Sequence, residues 1–176
     1  MKTLLLSTVA AALAVSAPAL AQEGPQYYGG LSYSSTSTND VDADIGSITG
    51  RAGALFTPYL GVEGEVSFGV VDDDINVGGV NVNVEPQYDA AIYGVANLPV
   101  NDNFSLFARV GYGTTEIDLS AAGISDTASG ESWNYGVGAN YFFDGVNGVR
   151  ADYTRKDFTD DGGEADVWSI GYVRRF

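Results

Sequence analysis

The chain has 176 residues with no Cys and no His, and its 23 acidic residues outnumber the 8 basic ones. The formal net charge of -15 repels nucleic acid and anionic bilayer surfaces, which excludes nucleic acid as a partner. Without Cys the chain has no disulfide framework, no thiolate metal site and no haem attachment.

The beginning of the chain has the pattern of a secretory signal peptide. Lys2 precedes an apolar run at residues 4–15, and an A-x-A cleavage site ends at Ala21. We therefore expect a signal peptide at residues 1–21 and one mature domain at residues 22–176. No later segment supplies the ~20 consecutive apolar residues of a transmembrane helix, so insertion into a membrane requires a closed barrel.

Eight segments alternate apolar and polar side chains with the two-residue period of a β-strand. These predicted strands are residues 27–36, 45–56, 60–70, 87–100, 104–117, 132–143, 149–158 and 166–176. The connections between them alternate between long and short. The short ones are residues 57–59, 101–103 and 144–148, and the long ones are residues 37–44, 71–85, 118–131 and 159–165. Outer-membrane barrels have short periplasmic turns and longer extracellular loops, so this rhythm predicts an all-β, eight-stranded antiparallel up-and-down transmembrane β-barrel.

The third predicted strand shows most clearly which face of a strand is apolar and which is charged. Apolar residues and glycine from Leu60 to Phe68 alternate with Glu63 and Glu65. A water-soluble core does not readily accept two carboxylates, whereas the polar lumen of a membrane barrel does. The charged residues expected in this lumen are Arg51, Glu63, Glu65, Arg109, Arg150 and Asp152.

These lumen charges have two interpretations. The interior of an eight-stranded barrel is only wide enough for side chains, so we expect a structural ion-pair network that fixes strand register. Arg51 and Glu65 lie on the same face across the second hairpin and are the expected pair. The alternative is a gated or ion-selective path through the barrel.

Aromatic residues fall at the two ends of the predicted strands, as in the aromatic girdles of membrane barrels. The predicted girdle at the periplasmic rim contains Tyr27, Phe56, Tyr59, Phe104, Phe143 and Phe176, and the outer one contains Phe68, Tyr88, Tyr112, Trp133 and Trp168. The eight residue steps from Phe104 to Tyr112 span roughly 20 Å of height, comparable with the ~25 Å apolar band of such barrels.

The last strand ends the chain on an aromatic residue. Trp168, Ile170, Tyr172 and Phe176 share one face. This pattern resembles the C-terminal signal by which Gram-negative assembly machinery recognises outer-membrane barrels. Arg174 departs from the pattern, which usually has an apolar residue there, but an Arg at the membrane rim can extend its charge into the headgroups.

The whole mature chain resembles the small eight-stranded outer-membrane barrels of the porin family. This group includes the transmembrane domain of outer membrane protein A and the opacity-type and attachment-invasion-type surface proteins. The resemblance rests on the eight segments, the terminal Phe and the stretches YYGGLSY, FTPYLGVEGEVSFG and LFARVGYG. It implies an outer-membrane location, with membrane lipid, lipopolysaccharide and the barrel assembly machinery as partners, and loops that meet a host or cell-surface ligand.

Acidic residues cluster in the predicted loops, for example at Asp40, Asp42 and Asp44. This spacing begins like a calcium loop, but Ile45 stands where the loop needs Gly and Arg51 where it needs Glu. The clusters are interpreted as solvated loops, with weak calcium or magnesium binding beside lipopolysaccharide as the alternative.

The sequence predicts no enzyme, because it lacks the His and Cys of the usual acid/base and nucleophile dyads. We expect no catalytic residue, no metal site and no cofactor. The predicted function is that of an integral outer-membrane protein with a structural or surface-interaction role, displaying acidic loops. The alternatives are a narrow ion or small-solute channel, and a soluble lipocalin-like barrel whose faces are reversed.

Overall fold

The computed structural model describes residues 24–38, 41–70, 74–77, 80–84, 88–121, 124–159 and 163–176. The regular elements of these residues are ten strands. They are β1 Gln26–Thr38, β2 Val41–Leu55, β3 Leu60–Gly69, β4 Asp74–Val77, β5 Val80–Val84, β6 Tyr88–Pro99, β7 Phe104–Ala121, β8 Ile124–Phe142, β9 Asn147–Phe158 and β10 Glu164–Arg175. No helix in the described part of the chain is long and apolar enough to cross a membrane. The predicted signal peptide lies outside the described residues.

Eight of these strands close into a barrel. Strands β1, β2, β3, β6, β7, β8, β9 and β10 each pair antiparallel with the next, and β10 returns to pair with β1. The predicted all-β, eight-stranded antiparallel up-and-down barrel is therefore confirmed. Strands β4 and β5 form a separate hairpin, which joins the edge of β7 where Asn83 lies opposite Ser120 and Val84 opposite Leu119.

The side chains alternate between a polar interior and an apolar exterior. Along β9, Arg150, Asp152 and Thr154 are buried, whereas Val149 is 50% exposed. Because a soluble ligand-binding barrel places its apolar faces inside, this arrangement shows that the lipocalin-like alternative is wrong.

Each of the three short turns opens with a side-chain oxygen that accepts hydrogen bonds from later main-chain N–H groups. At the third turn, Asp144 Oδ1 accepts from the N–H of Val146 at 2.9 Å and from that of Asn147 at 2.5 Å. Asn101 and Thr57 do the same in the other two turns, at distances between 2.8 and 3.2 Å. These polar residues specify tight turns because they replace the main-chain bonds that the strands lose there.

All four segments predicted as long connections contain strand. Residues 71–85 include the β4–β5 hairpin, residues 37–44 include the ends of β1 and β2, residues 118–131 include the ends of β7 and β8, and residues 159–165 include the start of β10. The prediction was wrong there for a physical reason. A strand that continues beyond the apolar band meets water on both faces, so it loses the alternation by which strands are recognised in sequence.

Candidate functional sites in the lumen and at the loop end

The structure brings all six predicted lumen residues into one network near the middle of the barrel. Three arginines and three carboxylates make up this lumen network: Arg51, Arg109, Arg150, Glu63, Glu65 and Asp152. None of the six is more than 6% exposed. They project inward from β2, β3, β7 and β9, so the network links walls of the barrel that are not adjacent in the sheet.

Arg109 is the centre of the lumen network. Its Nη1 lies 2.8 Å from Glu63 and 2.7 Å from Glu65, and its Nη2 lies 2.8 Å from Asp152. Arg51 adds contacts of 2.6 Å to Glu65 and 3.3 Å to Asp152. With a contact of Arg150 to Glu63 as well, every carboxylate contacts at least two guanidinium groups, which offsets the cost of removing these charges from water.

Arg150 completes the network from the side of the short turns. It binds Glu63 through two nitrogens, at 2.6 and 3.0 Å, and its Nε lies 3.2 Å from Asp152. The hydroxyl of Tyr28 donates a further hydrogen bond of 2.8 Å to Glu63. Two-point binding of this kind fixes the orientation of both groups as well as their distance.

Two aromatic rings support the arginines from within the lumen. The guanidinium of Arg109 lies 4.3 Å from the ring centre of Tyr93, and that of Arg150 lies 4.1 Å from the ring centre of Phe107. The sequence places Phe107 on the same face as Arg109. It gave no clear signal for Tyr93, because the faces of that strand are less distinct in sequence.

A second ion pair lies in the lumen beyond the network, away from the short turns. Lys156 Nζ lies 2.6 Å from Asp89, which also accepts a 2.6 Å hydrogen bond from Thr115. Sequence reasoning missed this pair. The available signal was the alternation of β9, where Lys156 is the next position on the inward face after Arg150, Asp152 and Thr154.

The predicted aromatic girdles occupy the outer surface at two heights. Near one end, three ring pairs are in contact: Phe68 with Tyr88 at 5.6 Å, Tyr112 with Trp133 at 5.3 Å, and Tyr153 with Trp168 at 4.8 Å. Near the short turns, the other predicted girdle residues are Tyr27, Phe56, Tyr59, Phe104, Phe143 and Phe176. All of these are exposed except Phe104, which is half-buried.

The C-terminal strand β10 presents Trp168, Ile170 and Tyr172 outward, with exposed fractions of 62%, 66% and 45%. Phe176 continues this face and donates its main-chain N–H to Tyr27 at 2.9 Å. The guanidinium of Arg174 lies 5.9 Å from the Phe176 ring centre. The geometry places the apolar residues of the predicted assembly signal on the outer surface, where another protein could contact them.

Charge is divided unequally between the two ends of the barrel, which we name the turn end and the loop end after their connections. By sequence, sixteen acidic residues belong to the loop-end segments: Asp40, Asp42, Asp44, Asp72, Asp73, Asp74, Glu85, Glu116, Asp118, Asp126, Glu131, Asp157, Asp160, Asp161, Glu164 and Asp166. The only basic residues of these segments are Arg155 and Lys156.

Both loop-end basic residues are engaged by acids. Lys156 is held inside the lumen by Asp89. Arg155 is paired on the outer surface with Glu164 and with Asp166. The turn end differs, since by sequence three acidic residues, Glu23, Asp102 and Asp144, stand there against two arginines at the end of β10. By sequence, the segments of the loop end therefore carry a large excess of acidic residues, and we call this end the acidic rim.

An apolar exterior with aromatic bands around a charged interior defines a transmembrane barrel of the outer-membrane type. The family model of the outer membrane protein beta-barrel domain matches residues 7–176, and the chain belongs to this family. Family membership and fold together make it a protein of the outer membrane.

Solved structures of small surface barrels resemble this one. Ail, the attachment invasion locus protein of Yersinia pestis in complex with the heparin analogue sucrose octasulfate, is 20% identical, with a TM-score of 0.63 over 88% of this chain and 100% of that one. Neisserial surface protein A is 10% identical, with a TM-score of 0.66 over 87% and 97%. OprG from Pseudomonas aeruginosa is 13% identical, with a TM-score of 0.62 over 88% and 97%. No curated protein matches the chain significantly.

Proposed function

We propose that this outer-membrane barrel is a non-catalytic surface protein whose acidic rim faces the outside of the cell and binds cationic partners. The observation that carries the proposal is the charge of the loop end. Sixteen acidic residues belong to its segments, and its two basic residues are both paired with acids. A surface of one sign attracts partners of the opposite sign and repels those of its own.

The charge of the rim also indicates which ligands the protein does not share with a structural relative. Ail was solved with the heparin analogue sucrose octasulfate, which is a polyanion. Bringing such a ligand to the acidic rim would place like charges together, which is unfavourable. The proposed partner is instead a Lys- or Arg-rich segment of a host or cell-surface protein.

The lumen network supports a structural role for the barrel rather than a channel. Its three arginines and three carboxylates neutralise one another at one level of a narrow interior. An ion that passed this level would have to separate pairs that compensate each other's desolvation. We therefore propose that the network holds the strands in register and closes the barrel.

The remaining partners follow from the outer surface. The apolar band contacts membrane lipid, with lipopolysaccharide in the outer leaflet. Because the rim is acidic, calcium or magnesium ions would have to bridge it to lipopolysaccharide phosphates. The outward face of β10, with Trp168, Ile170, Tyr172 and Phe176, is proposed as the signal for the barrel assembly machinery. Signal cleavage after Ala21 and a mature chain of residues 22–176 complete the proposal.

Binding of two probes of opposite charge tests the proposed function. The mature chain is refolded, inserted into lipid nanodiscs and titrated with an octalysine peptide or with sucrose octasulfate. We expect octalysine to bind with an affinity that falls as salt rises, and sucrose octasulfate not to bind. A triple variant with Asp40, Asp42 and Asp44 replaced by Asn should bind octalysine more weakly, whereas the turn-end control Asp102→Asn should not. Binding of sucrose octasulfate in place of octalysine, or equal effects of the two variants, would contradict the proposal.

A further inference from the structure

The barrel interior contains a small cavity at the turn end, on the side of the lumen network where Arg150 lies. Apolar side chains of four strands line it: Leu55, Val95, Phe107 and Val173. Gln26, which also lines it, is exposed, so the cavity opens to water at this end. Water-sized groups have about 20 Å³ of room inside, which is enough for one such group. We call this space the turn-end cavity.

Arg175 brings an unpaired positive charge to the turn-end cavity. Its guanidinium lies 3.6 Å from the ring centre of Phe142, and this ring is almost fully buried. Within the described ranges, the Arg175 side chain has neither an ion pair nor a hydrogen bond. A guanidinium that stacks on a ring through its face keeps the N–H groups of its edge free to donate. Arg175 therefore offers a two-point donor that has no acceptor.

Asn140 brings an acceptor that has no donor. In the register it lies opposite Ser105 on β7 and opposite Arg150 on β9, and it stands two residues before Phe142 on β8. Its Nδ2 donates to Ser105 at 3.4 Å, whereas its Oδ1 is buried and has no hydrogen-bond partner in the described part of the chain. A buried acceptor without a donor is costly, so this atom indicates that a bound group belongs in the cavity.

The other charged groups near the turn-end cavity are already satisfied. Arg150 is bound by Glu63 and Asp152 within the lumen network. Asp144, in the adjacent turn, accepts hydrogen bonds from Val146 and Asn147. Arg175 therefore determines the charge of the ligand, which must be an anion.

The unused groups of the cavity match the end of a peptide chain. A carboxylate accepts two parallel hydrogen bonds from the edge of a guanidinium, as Arg175 offers them. The N–H of the terminal residue supplies the donor that Asn140 Oδ1 lacks. Because the enclosed space admits only one water-sized group, the ligand must enter by its end, and its terminal side chain must be small.

We propose that the turn-end cavity binds the free C-terminal carboxylate of a peptide. Arg175 holds the carboxylate, and Asn140 accepts the N–H of the terminal residue. Capture of a chain end is a recurring mode of peptide recognition. In the proposed orientation the cavity faces the periplasm, so the partner is a periplasmic chain that ends in a small residue such as alanine. The site lies at the opposite end of the barrel from the acidic rim and does not depend on a partner there.

Two peptides of equal charge separate recognition of a chain end from simple charge attraction. The first is Gly-Gly-Gly-Ala with a free terminal carboxylate. The second is Gly-Asp-Gly-Ala with an amidated terminus, so its one carboxylate lies within the chain. Both carry the same N-terminal fluorophore, and fluorescence anisotropy measures their binding to the mature protein in nanodiscs. We expect the second peptide to bind at least about tenfold more weakly, because it has no terminal carboxylate for Arg175.

Substitutions on β10 test whether the peptide binds in the turn-end cavity. Arg175→Gln should weaken binding of the first peptide by at least about tenfold, because it removes the charged donor. The matched control is Arg174→Gln, which removes an equal charge from the outward face of the same strand and should leave the affinity unchanged. Arg175→Lys keeps the charge but lacks the two-point geometry, so it should also bind more weakly than the wild type. Mobility with and without boiling checks that each variant is folded.

The acceptor is tested by nuclear magnetic resonance. In the ¹⁵N-labelled protein, the first peptide should shift the side-chain amide signals of Asn140, and the second should not. Equal affinities of the two peptides, or equal losses in Arg174→Gln and Arg175→Gln, would overturn the proposed site. Failure of both peptides to bind would show that the cavity holds only water, and would overturn the inference as well.

Discussion

Arg51 and Glu65 lie opposite each other in the β2–β3 register, with Arg51 Nε and Glu65 Oε2 2.6 Å apart. The same carboxylate oxygen lies 2.7 Å from Arg109 Nη1 on β7. Glu65 is therefore the residue through which a local hairpin pair becomes a connection across the lumen.

Removal of the Glu65 charge should strongly destabilise the barrel. Glu65→Gln removes the charge of one of the two carboxylates that Arg51 and Arg109 share, and breaking a buried pair costs about 3–5 kcal/mol. The free energy of unfolding can be measured by urea titration in nanodiscs or micelles. The matched control is Glu164→Gln, which removes an exposed ion pair with Arg155 and should cost about 0–1 kcal/mol. Equal costs for the two variants would show that the lumen network does not stabilise the fold.

Substitution by alanine should destabilise the barrel at one glycine and have little effect at another. A Cβ at Gly138 would lie 2.5 Å from the Phe107 ring and 2.6 Å from the Ala151 carbonyl oxygen. The overlap includes main chain, so Gly138→Ala should cost roughly 1–3 kcal/mol of unfolding free energy. At Gly50 the nearest atom would be 3.8 Å away, and Gly50→Ala should change stability by less than about 1 kcal/mol. Gel mobility with and without boiling reports the folded fraction of both variants, and a larger loss for Gly50→Ala would contradict this packing.

The third turn should lose stability in acid, and the second should not. Hydrogen bonds from the Asn147 side chain and from the main chain of Asn147 and Val146 lower the pKa of Asp144. A lowered folded pKa means that the stabilisation is complete above the ordinary aspartate pKa and is lost as pH falls through the folded value. The stability difference between the wild type and Asp144→Ala should therefore shrink in acid. Asn101→Ala removes the equivalent neutral acceptor, so its difference should not depend on pH.

The proposed orientation predicts which positions can be labelled on intact cells. Thr159 is an exposed residue at the loop end, and Val146 is 40% exposed in a short turn. A thiol reagent that cannot cross the outer membrane should modify Thr159→Cys in whole cells. It should modify Val146→Cys only after the cells are broken. The reverse pattern would show that the acidic rim faces the periplasm.

The proposed closure of the lumen predicts that the protein conducts no ion current. The wild-type protein in a planar bilayer should give no unitary current steps, because the lumen network spans the interior at the level of Arg109. Folding of the same sample is checked by its mobility shift on boiling. Regular current steps whose size changes in Glu65→Gln would establish the channel alternative instead.

Part of the lumen network could be predicted from sequence, because the alternation of side chains along a strand is a local property. Glu63 and Glu65 stand two residues apart in an apolar strand, which is sufficient to show that this face is charged. The Lys156–Asp89 pair joins strands far apart in the chain. Lys156 and Asp89 could not be assigned to each other from sequence, because that requires the order and stagger of the strands.

Sequence alone predicts the eight barrel strands, the polar and apolar sides of most of them and the short turns, since these features depend on residues within a few positions of one another. It also determined that acidic residues accumulate in alternate connections. The contacts of Arg109 with three carboxylates and the continuation of β7 and β8 beyond the barrel became known only from the tertiary structure. Those features depend on barrel closure, which brings together side chains from opposite walls and leaves the longest strands without neighbours of equal length.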